Sequence, residues 1–199
     1  MDTSDAYRTI LDETRHLLAA LPHVGTFAEL APDAPDFHIP EARPLAVSAE
    51  IVSIAGATEG VTAPLARAIA AASPVLRFEQ SFQRTEVGSE FLRHYGWFDL
   101  ISPEGPFVQS DLRISFTMLG QGLVFPEKQH PSDEIAVVIA GGAVLRQPDC
   151  PPVRLWPGHT AEITAGQSHE IDMTDGPRMV MHGWKGSDLM ARATRAASA

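Results

Sequence analysis

Residues 122–141 read G-L-V-F-P-E-K-Q-H-P-S-D-E-I-A-V-V-I-A-G. Two glycines, Gly122 and Gly141, bracket Lys128, His130 and Glu134. In an extended chain, side chains two apart point to the same face. An unbroken strand therefore sets Lys128, His130, Glu134 and Ala136 on one face and Ile135, Val137 and Ile139 on the other. The second set is apolar and suits a packed interior. The first joins an imidazole to a carboxylate, a pair that serves either an exposed hairpin or a metal site.

A second stretch starts at Gly158, reads G-H-T-A-E-I-T-A-G-Q-S-H and ends on His169, with a turn at 165–166. Taken in order, the two stretches resemble the paired signature of the cupin superfamily. Its first half is G, five residues, H-x-H, three residues, E, six residues, G. Its second half is G, five residues, P-x-G, two residues, H, three residues, N. Here Lys128 stands at the first His, Thr164 at the Pro and Met173 at the Asn, while His130, Glu134 and His169 fall on the remaining ligand positions. Two imidazoles and one carboxylate suit one divalent metal ion such as Zn, Fe, Mn or Ni. A set of only three protein ligands leaves open positions, the usual mark of a catalytic site.

The composition excludes several classes. A chain of 199 residues buries one good core and reads as one domain with an extension. The net charge is −10 and no Lys/Arg cluster occurs, so neither nucleic acid nor an anionic membrane is an expected partner. The single cysteine, Cys150, excludes an internal disulfide framework and suits a reducing compartment. No basic neighbour activates it, so it reads as a loop residue. A charged start without an apolar core, and no apolar run of transmembrane length, lead us to expect a cytoplasmic protein.

Tyr7, Ile10, Leu11, Thr14, Leu17, Leu18 and Leu21 recur at helical spacing, predicting an amphipathic helix capped by Ser4 or Thr3 and ended by Pro22. Residues 22–44, with Pro32, Pro35 and Pro40, read as a wrapping loop. A second helix is expected over 45–55. A third opens at Thr62 and Pro64 and stops before Pro74. Beyond Pro74 the texture becomes strand and turn. Residues 75–82 alternate weakly, 89–94 suggest a helical turn and 95–101 look extended. Candidate strands follow over 112–118, 122–125, 134–140, 143–146, 159–163, 169–173 and 179–184. The expected fold is mostly β with N-terminal helices: a cupin-type β-barrel (double-stranded β-helix, or jelly roll). We expect 1–74 to form a helical extension packed on the barrel, and 75–199 to form the barrel.

The C-terminal half resembles one cupin family more closely. The runs F-P-E-K-Q-H-P-S-D-E-I-A-V-V-I-A-G, W-P-G-H, S-H-E-I and M-V-M-H-G-W-K-G-S-D-L are similar to those of the cupin dimethylsulfoniopropionate (DMSP) lyases. The resemblance covers most of 75–190 and implies carbon–sulfur bond cleavage, giving dimethyl sulfide and acrylate, at a metal held by His130, Glu134 and His169. It also implies a metal-near tyrosine as base and a tryptophan, here Trp184, that closes the pocket. The two positions expected to carry tyrosine hold Ala136 and Phe125. The missing tyrosines predict lyase activity that is weak or absent.

Proton removal beside a carboxylate needs a nearby base. The candidates are Lys128, which shares the ligand face; His182, which alternates with Val180 and Trp184; and Tyr95, since only Tyr7 and Tyr95 occur in the chain. Each also has an ordinary reading: Lys128 turned to solvent or paired with Glu127 or Asp133, His182 a buried structural imidazole, Tyr95 a packed aromatic. Phe125, Trp97 and Trp184 offer ring faces to a sulfonium cation. His159 is expected to be exposed, and His16, His23, His38 and His94 lie outside the motifs. Two other outcomes stay open: a metal-dependent cupin enzyme of different chemistry, such as a non-haem iron dioxygenase, or a metal-bearing binding module without turnover. The expected partner is a small-molecule substrate, with a homodimer open.

Overall fold

Two facing β-sheets hold the site, as seen in a computed structural model that describes residues 1–31, 36–172 and 176–191 and the strand pairing of 194–195. The helices are α1 (Thr3–Ala20), α2 (Pro22–Phe27), α3 (Ser48–Gly56), α4 (Ala63–Ala72) and α5 (Arg84–Arg93). The strands are β1 (Tyr95–Ser102), β2 (Phe107–Val108), β3 (Arg113–Leu119), β4 (Val124–Gln129), β5 (Ser132–Gly141), β6 (Ala143–Arg146), β7 (Val153–Leu155), β8 (Thr160–Ile163), β9 (His169–Asp172), β10 (Arg178–Gly186) and β11 (Thr194–Arg195). One sheet has six strands in the order β2-β1-β3-β10-β5-β8, the other five in the order β11-β4-β9-β6-β7. This is the cupin-type jelly roll that the paired motifs predict.

The first motif does not run as one strand. β4 ends at Gln129 in the five-stranded sheet and β5 begins at Ser132 in the six-stranded one. Pro131, which has no N–H for a ladder, sits at the crossing. Lys128, His130, Glu134 and Ala136 are nevertheless all buried, because the chain changes sheet between them and both sheets turn their inner faces to one interior.

Parity sorts the six-stranded sheet into two chemistries. Ile135, Val137, Ile139, Ile114, Phe116, Met179 and Met181 join one apolar cluster with Tyr7, Ile10 and Leu17 of α1, Ile51 of α3 and Leu65 and Ile69 of α4. The apolar face of the motif thus lies against the helices, outside the barrel. Each such fully buried side chain contributes about 1.5–3 kcal/mol relative to exposure. The inner face carries Arg113, Ser115, Glu134, His182 and Trp184, with registers that set Trp184 between Arg113 and Glu134, and His182 between Ser115 and Ala136. Gly141 closes the motif at φ +72, where a Cβ would stand 1.9 Å from the Pro177 carbonyl oxygen, so only glycine lets β10 start there.

Several local expectations give way. The N-cap of α1 is Asp2, whose side chain accepts the Asp5 N–H at 2.9 Å, in place of Ser4 or Thr3. Pro22 ends α1 by opening α2, so the loop expected over 22–44 begins with a helix. α3 starts at Ser48, three residues after the expected point, following a turn. Thr62 precedes α4 from within a short 3-10 turn and makes no side-chain cap. The helical turn expected over 89–94 is the end of α5, which starts at Arg84 under a Gln83–Glu86 capping box and kinks at Gly88. Short partner strands β2, β7 and β11 lack enough alternation to be read in advance. Met173 lies outside the described residues.

Candidate metal centre and its cavity

The second motif folds so as to bring His169 to the first. In the turn before it, the Gly166 N–H donates to the His130 carbonyl oxygen at 2.8 Å, and the Ala165 N–H donates to Asp133 Oδ1 at 2.9 Å. Lys128 and His169 then face each other across β4 and β9. Ligand atoms of His130, Glu134 and His169 all lie within 4.8 Å of one another, and all three residues are buried.

Backbone carbonyls fix both tautomers. His130 Nδ1 lies 2.8 Å from the Ser132 oxygen, and His169 Nδ1 lies 3.3 Å from the Gln167 oxygen. A carbonyl only accepts, so each Nδ1 carries the proton and each Nε2 keeps its lone pair. Those two Nε2 atoms and Glu134 Oε2 are buried without a hydrogen-bond partner. His130 Nε2 and Glu134 Oε2 approach to 2.7 Å without the alignment of a hydrogen bond. Three converging, orphaned donor atoms in a buried site are the demand that a cation satisfies. The donor set fits one divalent ion of the nitrogen- and oxygen-seeking kind.

Neighbours hold the triad rigid. Trp184 stacks on the His130 ring at 4.6 Å and 22°. His182 Nδ1 donates to Glu134 Oε1 at 2.5 Å, orienting the carboxylate whose other oxygen faces the histidines. Burial pushes the Glu134 carboxyl up, but His182, His130 and Lys128 outweigh it and hold it well below the usual range. Burial lowers His169 to about 4, with Lys128 adding to the effect. Burial also lowers His182, against the pull of Glu134. Glu134 is therefore held as a carboxylate and His169 and His182 as neutral imidazoles, the protonation state that suits metal binding.

A cavity of about 590 Å³ opens in front of this centre. Lys128, His182, Trp184, Trp97, Tyr95 and Phe125 line it, so every candidate base and every candidate substrate contact faces one space. The triad stands just behind that wall, through the His182–Glu134 bond and the Trp184–His130 stack. Lys128 turns inward: it is only 9% exposed, and its Nζ sits 4.7 Å from the Phe125 ring centroid. The partners proposed for an outward lysine are engaged elsewhere, Glu127 with Ser168 Oγ and Asp133 with the Ala165 N–H. Burial lowers the Lys128 amine from its ordinary value, while Glu134 opposes that. The Tyr95 hydroxyl donates to Ser81 Oγ at 3.1 Å, and burial pushes it up to about 12. His159 is exposed.

The ring faces expected to meet a sulfonium are already covered. The Arg113 guanidinium lies 5.0 Å from the Trp97 ring and 5.3 Å from Trp184, and Lys128 covers Phe125. Arg113 is anchored by Asp99 at 2.8 Å and donates to the Leu189 oxygen at 3.1 Å, tying the segment after β10 to the cavity mouth. Sequence reading missed Arg113 and Arg178. Strand parity carries the signal for both: Arg113 alternates with Ser115, and Arg178 with Val180, His182 and Trp184. Arg178 is buried at the far end of the inner face with Nε and Nη1 unpartnered, and burial lowers it to about 9.

Comparison with known proteins gives concordant results. The family model for dimethylsulfoniopropionate lyase matches residues 23–180. The dimethylsulfoniopropionate lyase DddQ of Ruegeria pomeroyi is 30% identical over 187 residues, covering 92% of this chain and 91% of the relative. Its crystal structure superposes with a TM-score of 0.88 at 28% identity over 97% of each chain. One of the crystal structures of the DMSP lyases RdDddP and RnDddQII gives a TM-score of 0.93 at 27% identity, covering 98% of this chain and all of the other.

Proposed function

The chain belongs to the dimethylsulfoniopropionate lyase family, and from that premise we propose that it is a metal-dependent carbon–sulfur lyase cleaving dimethylsulfoniopropionate to dimethyl sulfide and acrylate. The observation that carries this reading is the convergence of three orphaned ligand atoms, from His130, Glu134 and His169, behind a cavity of about 590 Å³. A divalent ion held by these residues supplies positive charge beside the substrate carboxylate.

His182 is the base in this proposal. Its Nδ1–H is committed to Glu134, which leaves the Nε2 lone pair for the cavity that His182 lines. Nε2 takes the proton from the carbon next to the carboxylate. The released electron pair forms the new carbon–carbon double bond, the carbon–sulfur bond breaks, and dimethyl sulfide leaves with its electrons. Tyr95 is assigned to the cavity wall, because a hydroxyl raised to about 12 and donated to Ser81 is poorly prepared to accept a proton. Lys128, Trp97, Trp184 and Phe125 shape the space. The division at residue 74 belongs to the same proposal, supported by the single core that α1, α3 and α4 share with the outer sheet face. So does a reducing, cytoplasmic setting, supported by the lone exposed Cys150; among the described residues no helix is long and apolar enough to cross a membrane.

The test is headspace dimethyl sulfide from metal-loaded protein and dimethylsulfoniopropionate under nitrogen. Release is expected without oxygen, at a rate below that of tyrosine-bearing relatives. His182→Gln is expected to lower it by about 10²–10⁴-fold, the share a positioned base contributes. Silence of the unmodified protein, or full activity of the variant, would overturn the assignment.

A further inference from the structure

Two cations on the inner face of the barrel lack an ion-pair partner among the described residues. Lys128 and Arg178 are both buried, 9% and 2% exposed, and neither has an ion-pair partner within 4.0 Å among the described residues. Glu134 is the acid that acts on both, and it is already shared with His130 and His182. Arg113 is matched separately by Asp99. A divalent ion on the triad would add two more charges beside Lys128. Buried charge of one sign without a counter-charge is costly, and an anion in the cavity relieves it at Lys128, which lines that space, whereas Arg178 does not.

The neutral donors point the same way. The indole N–H groups of Trp97 and Trp184 are buried without an acceptor, and both rings line the cavity. An orphaned donor asks for an oxygen, which a carboxylate offers and a sulfonium does not. Three of the rings that line the cavity already carry a protein cation, Lys128 on Phe125 and Arg113 on Trp97 and Trp184. Lys128 also stands directly across from His169, so a carboxylate approaching the triad meets its amine.

We infer that this cavity selects its ligand by the carboxylate, seated on Lys128, and gives little or no affinity to the sulfonium end. Lys128 is thus a specificity-determining anchor, and small anionic carboxylates without a sulfonium are its ligands as much as the zwitterion is. The inference rests on the lyase reading for the identity of the site, yet its test is separate, because it reads binding and not turnover.

The experiment titrates metal-loaded protein calorimetrically with two probes: 3-(methylthio)propionate, a carboxylate with a neutral thioether, and trimethylsulfonium, a sulfonium without a carboxylate. The thioether carboxylate is expected to bind at least about tenfold more tightly, the difference one charge-assisted hydrogen bond makes. Lys128→Met keeps the length and is expected to weaken that probe about tenfold or more at unchanged metal content, and Lys128→Arg to recover part of the loss. Equal or tighter binding of trimethylsulfonium, or unchanged affinity in Lys128→Met, would overturn the inference. Carboxylate binding with no dimethyl sulfide release would retain the anchor and remove the lyase reading; release with no preference between the probes would do the reverse.

Discussion

The two faces of the six-stranded sheet are both largely buried and are built from opposite chemistry. Val137 and Phe116 on the outer face are fully buried among helices and ask for nothing but apolar contact. Glu134 and His182 on the inner face are nearly as buried and ask for partners at every polar atom. Because a strand alternates, each residue added to the outer core places its neighbour in the barrel. The comparison teaches that burial alone does not mark a core. The outer face spends its burial on stability, and the inner face spends it on a candidate site whose polar atoms are left without partners.

The comparison breaks most visibly at the triad. His130→Ala and His169→Ala are each expected to abolish stoichiometric metal and, with it, activity, while the fold persists on the outer core. Elemental analysis of both variants checks this; stoichiometric metal in both would move the site elsewhere. On the outer face, Phe116→Ala is expected to cost about 3–5 kcal/mol in chemical denaturation, the usual range for a buried phenylalanine. Its metal content per folded molecule should be unchanged. Loss of metal in that variant would show that the two faces are not independent.

The smallest effect sharpens the comparison through pH. His169 is lowered from 6.5 to about 4, so the metal-free folded state keeps it neutral where the unfolded chain protonates. Between those values the unfolded state binds more protons, and stability rises with pH. Chelator-treated protein is expected to hold its denaturation midpoint above pH 6.5 and to lose it as pH falls toward 4. His169→Ala should flatten that slope, and an identical slope in the variant would assign the loss to other groups. His182, also lowered by burial, contributes in the same direction and keeps the flattening partial.

Much of this was legible in the chain. Glycine spacing gave the two motifs, and alternation gave the strands from β3 through β10 except β7. The triad was legible because cupin spacing is a spacing of strands and turns, and the turn at Gly166 hydrogen-bonds to His130 itself. What was not legible depends on contacts between sheets. The break at Pro131 sends the motif into two sheets, and no local pattern announces that. The inward turn of Lys128 depends on the Phe125 ring and on Ser168 and Ala165 occupying its alternative partners. Arg113 and Arg178 obey strand parity, but a buried arginine contradicts composition so strongly that parity alone did not recover them. The short N-terminal helix α2 was hidden by prolines, one of which starts it.

The stack of Trp184 on His130 has an optical consequence. Of the three tryptophans in the chain, Trp156 is about half exposed, whereas Trp184 lies 4.6 Å from an imidazole of the candidate metal triad. An indole excited in that position transfers charge to its neighbour more readily when the imidazole carries a cation. Trp184 is therefore expected to report occupancy of the proposed site, its emission dimming as metal is added and brightening as a chelator removes it.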